Sequence, residues 1–314
     1  MKIRINPIIK KDIKVSSRSM RICWSILGYE GILVIAYLFA LLFIQEESRY
    51  FYSSNIYSML TSIFPVVAIT QLVIVALIVP IMTASSISGE KERQTFDIML
   101  TTCMSPFSIV FGKVISAMMR VLLYVVASTP IMALAFVLGG LKWSALFGFL
   151  LVVLLFSFFA GSIGIFCSSV CKKSISAVIL SFGFYFIVFA CSFIPMIIWV
   201  FVTFNYSGLL NYGSSGSVGE TPLFLLINPI VFIEEFFTRA MGGVSLLNEV
   251  AGSNGVGALS NWLMEGPRWL IVSAVFILLL SFLFLFGASR RINPLLGLKA
   301  PAKPSKRTAG AAPN

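Results

Sequence analysis

The chain has 314 residues, 58% of them hydrophobic and 11% charged, with a mean hydropathy of +0.98 and a formal net charge of +11. Soluble domains carry roughly 25% charged residues, so an ordinary soluble fold is excluded; the complete lack of histidine also excludes His-based triads, His-ligated zinc and histidine proton relays. The basic residues sit in tails and short loops beside apolar runs, a placement that suits membrane topology and anionic lipid and speaks against nucleic acid as a partner.

In chain order, Asn6 is placed to cap a helix with Pro7 at its first position. Lys10, Lys14, Arg18 and Arg21 would then form one basic stripe, which suits an interfacial helix lying on anionic lipid. Six apolar runs follow, at 24–44, 59–82, 114–138, 143–170, 174–204 and 269–288. Each reaches the roughly 20 residues that a membrane-crossing helix needs. The first lacks a small-x-small cleavage site and reads as a retained signal anchor. The predicted fold is therefore all-α: a polytopic membrane protein with six transmembrane helices in one domain, residues 1–288, and a basic tail, 289–314, whose Pro/Ala/Lys composition predicts disorder.

Two charges fall inside spans, Glu30 in the first and Arg120 in the third, each roughly 10 Å from the cytosolic side at 1.5 Å per residue. An intramembrane charge costs at least about 2.5–3.5 kcal/mol, so the two are expected to pair. Snorkelling by Arg120 and protonation of Glu30 are the alternatives.

Between the second and third spans lies the only strongly charged internal segment, Ser88-Gly89-Glu90-Lys91-Glu92-Arg93-Gln94-Thr95-Phe96-Asp97-Ile98-Met99-Leu100. Read as a helix over 86–104, it carries Phe96, Met99, Leu100 and Cys103 on one face and Glu90, Gln94, Asp97 and Thr101 on another. This pattern predicts a cytosolic surface helix, which serves equally as a plain joint between spans. Ser105-Pro106 then restarts a helix, with Ser as N-cap and Pro at its first position.

On the fourth span Ser157, Gly161, Gly164 and Ser168 form a small-residue face that permits close helix approach, within the subunit or between two copies. The fifth span is long enough to tilt strongly or to break at Pro195. Beyond it, residues 205–268 are the one large external segment. Thr221 to Ile230 is apolar but too short to cross, so it reads either as a re-entrant or interfacial piece or as the core of a small cap. The five cysteines, Cys23, Cys103, Cys167, Cys171 and Cys191, fall in spans or at their cytosolic ends and imply no disulfide framework.

With the N-terminus inside, the cytosolic segments hold 7, 3, 2 and 6 Lys/Arg, or 18 of the 23, against four outside (Arg49, Lys142, Arg239 and Arg268). The positive-inside rule then places both termini in the cytosol. No G-x-x-x-x-G-K-[ST] phosphate loop, G-x-S-x-G element or metal-ligand cluster occurs. The chain therefore reads as non-catalytic, with a membrane enzyme of unknown type disfavoured.

The stretch Ser88 to Thr102, followed by Ser105-Pro106-Phe107-Ser108-Ile109-Val110-Phe111-Gly112-Lys113, resembles the signature loop of type-2 ABC exporter permeases: a Glu-x-Glu-x-x-Thr-hydrophobic stretch, then a Ser-Pro-x-x-x-x-x-Gly-Lys entry into the third span. Asn6 to Asp12 is similar to the amphipathic start of the same permeases. Gln94 stands where the family usually has glycine, a departure expected to leave the helix more regular. The resemblance implies a permease subunit in the cell membrane, paired with a second copy or a paralogue and with a cytosolic ABC ATPase subunit. ATP and magnesium would be bound by that ATPase, and no cofactor by this chain. It implies a coupling helix whose Glu90, Glu92, Arg93, Thr95 and Phe96 meet the ATPase. A membrane-anchored structural or immunity protein of the same fold, without transport, is the alternative. No pattern in the external segment identifies a substrate.

Overall fold

The computed structural model of the chain describes residues 20–50, 60–61, 63–96, 105–210, 221–243 and 258–292. The expected N-terminal interfacial helix up to Arg18, the second half of the charged segment (97–104) and the tail after Ile292 lie outside the described residues. Those that are described form nine α-helices and no strand: α1 Met20–Tyr50, α2 Ile63–Glu92, α3 Pro106–Ala127, α4 Thr129–Gly139, α5 Trp143–Val170, α6 Ser174–Leu210, α7 Pro229–Met241, α8 Ala258–Met264 and α9 Arg268–Ile292. A 3₁₀ helix, Thr221–Ile227, precedes α7. Six of the nine (α1, α2, α3, α5, α6 and α9) are long and apolar enough to cross a membrane.

The three largest boundary differences from the sequence reading fall in the second and third spans. The second span was expected to end near residue 82, yet α2 continues to Glu92. The third begins at Pro106 instead of 114, because Ser105 caps it: the serine side chain accepts from Ser108 N at 3.3 Å, with proline in the first turn. The same span then breaks at Ser128, and Pro130 opens α4. Proline has no N–H to give to a preceding turn and its ring clashes there, so a helix stops before it and restarts with it. Pro195, by contrast, lies within a continuous α6.

Helices α2, α3 and α5 form the centre, with α1, α6 and α9 packed around them. The outer helices leave large apolar side chains exposed, among them Leu27, Ile35 and Phe43 on α1 and Ile271 and Leu283 on α9. In water such faces would be unstable, whereas against lipid they need no cover.

The tightest packing joins α2 to α5. A Cβ placed on Gly164 would fall 2.0 Å from Thr83 Oγ1 and 3.3 Å from the backbone nitrogen of Ala84. One turn on, Ser168 Oγ accepts from the amides of Ile87 (3.0 Å) and Ser88 (2.8 Å). The small-residue face of the fourth span therefore packs inside the subunit, against the second.

At the opposite end Phe64 meets Phe136, Phe149 and Phe237 with ring centroids 5.8–6.3 Å apart. Phe237 belongs to α7, which intrudes between the spans, and its neighbour Phe232 stacks edge-on against Phe156 of α5 at 5.7 Å. Phe156 is 13 residues into α5, about 20 Å along it at 1.5 Å per residue, so α7 is re-entrant in its path. Asn228 fixes its start: its side-chain oxygen caps Ile230 N, and its Nδ2 donates to Ser192 Oγ at 2.7 Å. The cap also has a small core of its own around Leu225, Leu226, Leu263 and Trp269. Thr221–Ile227 gives Leu225 and Leu226 to that core, whereas the intruding piece is α7, which lies almost wholly beyond the stretch 221–230 that the sequence singled out.

Candidate functional site: a three-way clasp at the end of the second helix

The charged segment was expected to form one helix over 86–104. Instead its first half is the last turn of α2, and the chain reverses at Arg93–Thr95. Gln94 has φ 57°, Thr95 N bonds Glu90 O at 3.0 Å and Gln94 N bonds Lys91 O at 3.2 Å. This pair of bonds, six-to-one and five-to-two around a left-handed residue, is a Schellman stop. A residue at that position ordinarily needs glycine's freedom. Gln94 therefore adopts a left-handed conformation and ends the helix; it does not make the helix more regular.

The last turn of α2 ties itself to three other helices. Glu90 Oε1 takes a hydrogen bond from Lys113 Nζ of α3 at 2.7 Å, and the same ammonium donates to Ser86 O at 3.1 Å. The lysine is 7% exposed and the glutamate 31%. Lys91 Nζ reaches α5, where Ser168 O, Ser169 O and Cys171 O receive it. These are among the carbonyls left without intrahelical partners at a helix C-terminus, and a cation there also suits the helix dipole. Glu92 goes to α6: its two oxygens accept from Ser174 N (3.0 Å) and Ser174 Oγ (2.8 Å), an N-cap supplied by a different helix. Three consecutive side chains thus hold the ends of α3, α5 and α6 to α2.

Of the expected partner-facing residues, Glu90 and Glu92 are engaged within the chain. Arg93 and Thr95 are exposed with Gln94 on the reversal, and Phe96 is partly buried against the apolar cluster that includes Ile87, Val110 and Val114, with Lys91 Nζ 5.7 Å from its ring centre. Sequence reasoning missed Lys91, Lys113 and Ser174. Lys113 stood in view as the end of the Ser-Pro-x-x-x-x-x-Gly-Lys element, but its partner lies 23 residues away on another helix.

Glu30 and Arg120 are not brought together: among the described residues the salt bridges are Glu90–Lys113, Glu235–Arg239 and Glu265–Arg268. Arg120 Nε instead bonds Ser116 O one turn back at 3.4 Å, and Glu30 Oε1 is buried with no hydrogen-bond partner.

Six apolar rods, lipid-compatible outer faces and a polar clasp confined to one end define a multi-pass helical membrane protein. The model of the ABC-2 family transporter proteins matches residues 42–290, and the chain belongs to that family. No curated protein matches the chain.

Proposed function

We propose that this chain is the permease subunit of an ATP-driven exporter and that a separate cytosolic ABC ATPase grips it at the reversal of residues 93–96. The clasp carries this reading. A docked body pushing on Arg93, Thr95 and Phe96 would act at the end of α2, where Glu90, Lys91 and Glu92 pass the displacement to three further helices. Rigid, packed elements move together under such a load. The side chains of the expected interface then divide the work: Arg93, Thr95 and Phe96 receive, while Glu90 and Glu92 transmit. The orientation from the Lys/Arg count, termini and clasp in the cytosol, supports the same reading.

The test is co-purification in mild detergent from the native host. A protein carrying a G-x-x-x-x-G-K-[ST] loop should be recovered with the native chain and lost with Arg93→Glu plus Thr95→Arg. If the native chain brings down no such protein, the reading fails. Recovery that survives the double substitution removes the reversal from the interface.

A further inference from the structure

The turn that joins α5 to α6, residues 171–173, lies against the reversal at the end of α2. Lys91 Nζ donates to Cys171 O at 3.4 Å, and the two oxygens of Glu92 accept from Ser174 N at 3.0 Å and Ser174 Oγ at 2.8 Å. Lys172 and Lys173 sit between those two anchored residues, and Arg93 directly follows the acid that holds one of them. Two loops some eighty residues apart in sequence therefore share one surface. Its exposed charges have one sign. Arg93, Lys172 and Lys173 are all exposed, and the charges of Lys173 and Arg93 both reach the Glu92 carboxylate. None of the three cations belongs to a salt bridge among the described residues. The acids described at this end are engaged within the chain, Glu90 by Lys113 and Glu92 by Ser174. Like charges gathered on one surface favour an anionic partner.

We propose that the ATPase seats on both loops at once, and that its surface over Lys172 and Lys173 is lined by aspartate or glutamate. The inference rests on the permease reading and deepens it, by adding the α5–α6 turn to the docking surface and naming the chemistry opposite. Position favours a protein as the anion. Glu92 ties the start of α6 to the last turn of α2, so the two loops stand side by side. A body seated on Arg93 and Thr95 then meets Lys172 and Lys173 as well. Its load enters α5 and α6 at their own junction, in addition to the path through Lys91 and Glu92. Lipid headgroups carry the same charge, and the test separates the two.

The test is zero-length cross-linking of the full chain with the ATPase that co-purifies in mild detergent. A water-soluble carbodiimide joins a lysine Nζ to a carboxylate as an amide and takes up the water released. Peptide mass spectrometry should find Lys172 or Lys173 joined to an aspartate or glutamate of the ATPase, on a chain that carries no substitution. Lys172→Glu plus Lys173→Glu should lower ATPase recovery about tenfold or more, because like charges brought face to face across an interface are strongly unfavourable. Lys172→Arg plus Lys173→Arg should keep recovery. Arg290→Glu plus Arg291→Glu makes the same change of net charge at the end of α9, where Arg290 lies over the Phe286 ring at 4.5 Å, and should leave recovery unchanged. Cross-links confined to lipid or to this chain's own carboxylates, unchanged recovery with the lysine reversal, or equal loss with both reversals would each overturn the proposal. If no ATPase accompanies the native chain, the permease reading falls and takes this inference with it. If the ATPase is recovered and ignores the lysines, this inference falls alone.

Discussion

Replacing Gly164 with alanine places a methyl group where no methyl group fits. Its carbon would stand 2.0 Å from Thr83 Oγ1, 3.0 Å from Thr83 Cβ and 3.3 Å from Ala84 N. Thr83 cannot turn away cheaply. Its hydroxyl is bonded to Val79 O at 2.8 Å, and even with the oxygen gone its Cβ stays at the limit of contact. Helices α2 and α5 must therefore separate by roughly 1 Å, at about 1–3 kcal/mol for a close-packed site forced open. The displacement also reaches the next turn, where Ser168 Oγ serves Ile87 N and Ser88 N. Thermal melting of the purified protein, followed by size-exclusion chromatography, should rank the variants. Gly164→Ala loses most. Gly161→Ala, whose nearest contact is a valine methyl at 3.3 Å, loses less, and Gly183→Ala, with nothing within 4 Å, loses least. Adding Thr83→Ala to Gly164→Ala should recover part of the loss. Melting points that coincide for Gly164→Ala and Gly183→Ala would refute the packing argument.

Two further outcomes follow from the clasp. Gln94→Gly should stabilise the protein by about 1 kcal/mol, because a left-handed non-glycine residue costs roughly 1–2 kcal/mol. Gln94→Val should destabilise it, and a lower melting point for the glycine variant would contradict the Schellman reading. Glu90→Gln and Lys113→Met should each destabilise, and their combination should cost less than the two losses added. The expected coupling is about 1–3 kcal/mol, below the 3–5 kcal/mol of a fully buried pair because Glu90 is partly exposed. Additive losses would mean that the pair contributes nothing.

The spans were legible because twenty apolar residues in a row have few fates. The start of α3 was legible too, since Ser105-Pro106 is a cap written in two adjacent residues. Periodicity misled at residues 93–95, where the chain reverses. The faces it found are real as a pattern, but it assumes helical geometry throughout, and no propensity marks Gln94 as left-handed. The small-residue face of Ser157, Gly161, Gly164 and Ser168 was visible while its partner was not, since Thr83 and Ala84 have nothing unusual about them. Glu30 and Arg120 show the reverse error. Matching their depths was arithmetic along two helices, and arithmetic along an axis does not say which way a side chain turns around it. Glu90–Lys113 and Glu92–Ser174 depend on how four helices converge, which no single segment encodes.

The break at Ser128 divides the third crossing into two pieces with different neighbours. The inner piece ends at Ala127 and is joined at its root to Glu90; the outer piece, Thr129–Gly139, packs on α2 and α1. From Lys113 to Ala127 is about 21 Å at 1.5 Å per residue. On the proposed reading, a push that enters at Lys113 meets this joint before it reaches the outer piece, so the two pieces of one crossing can answer it separately.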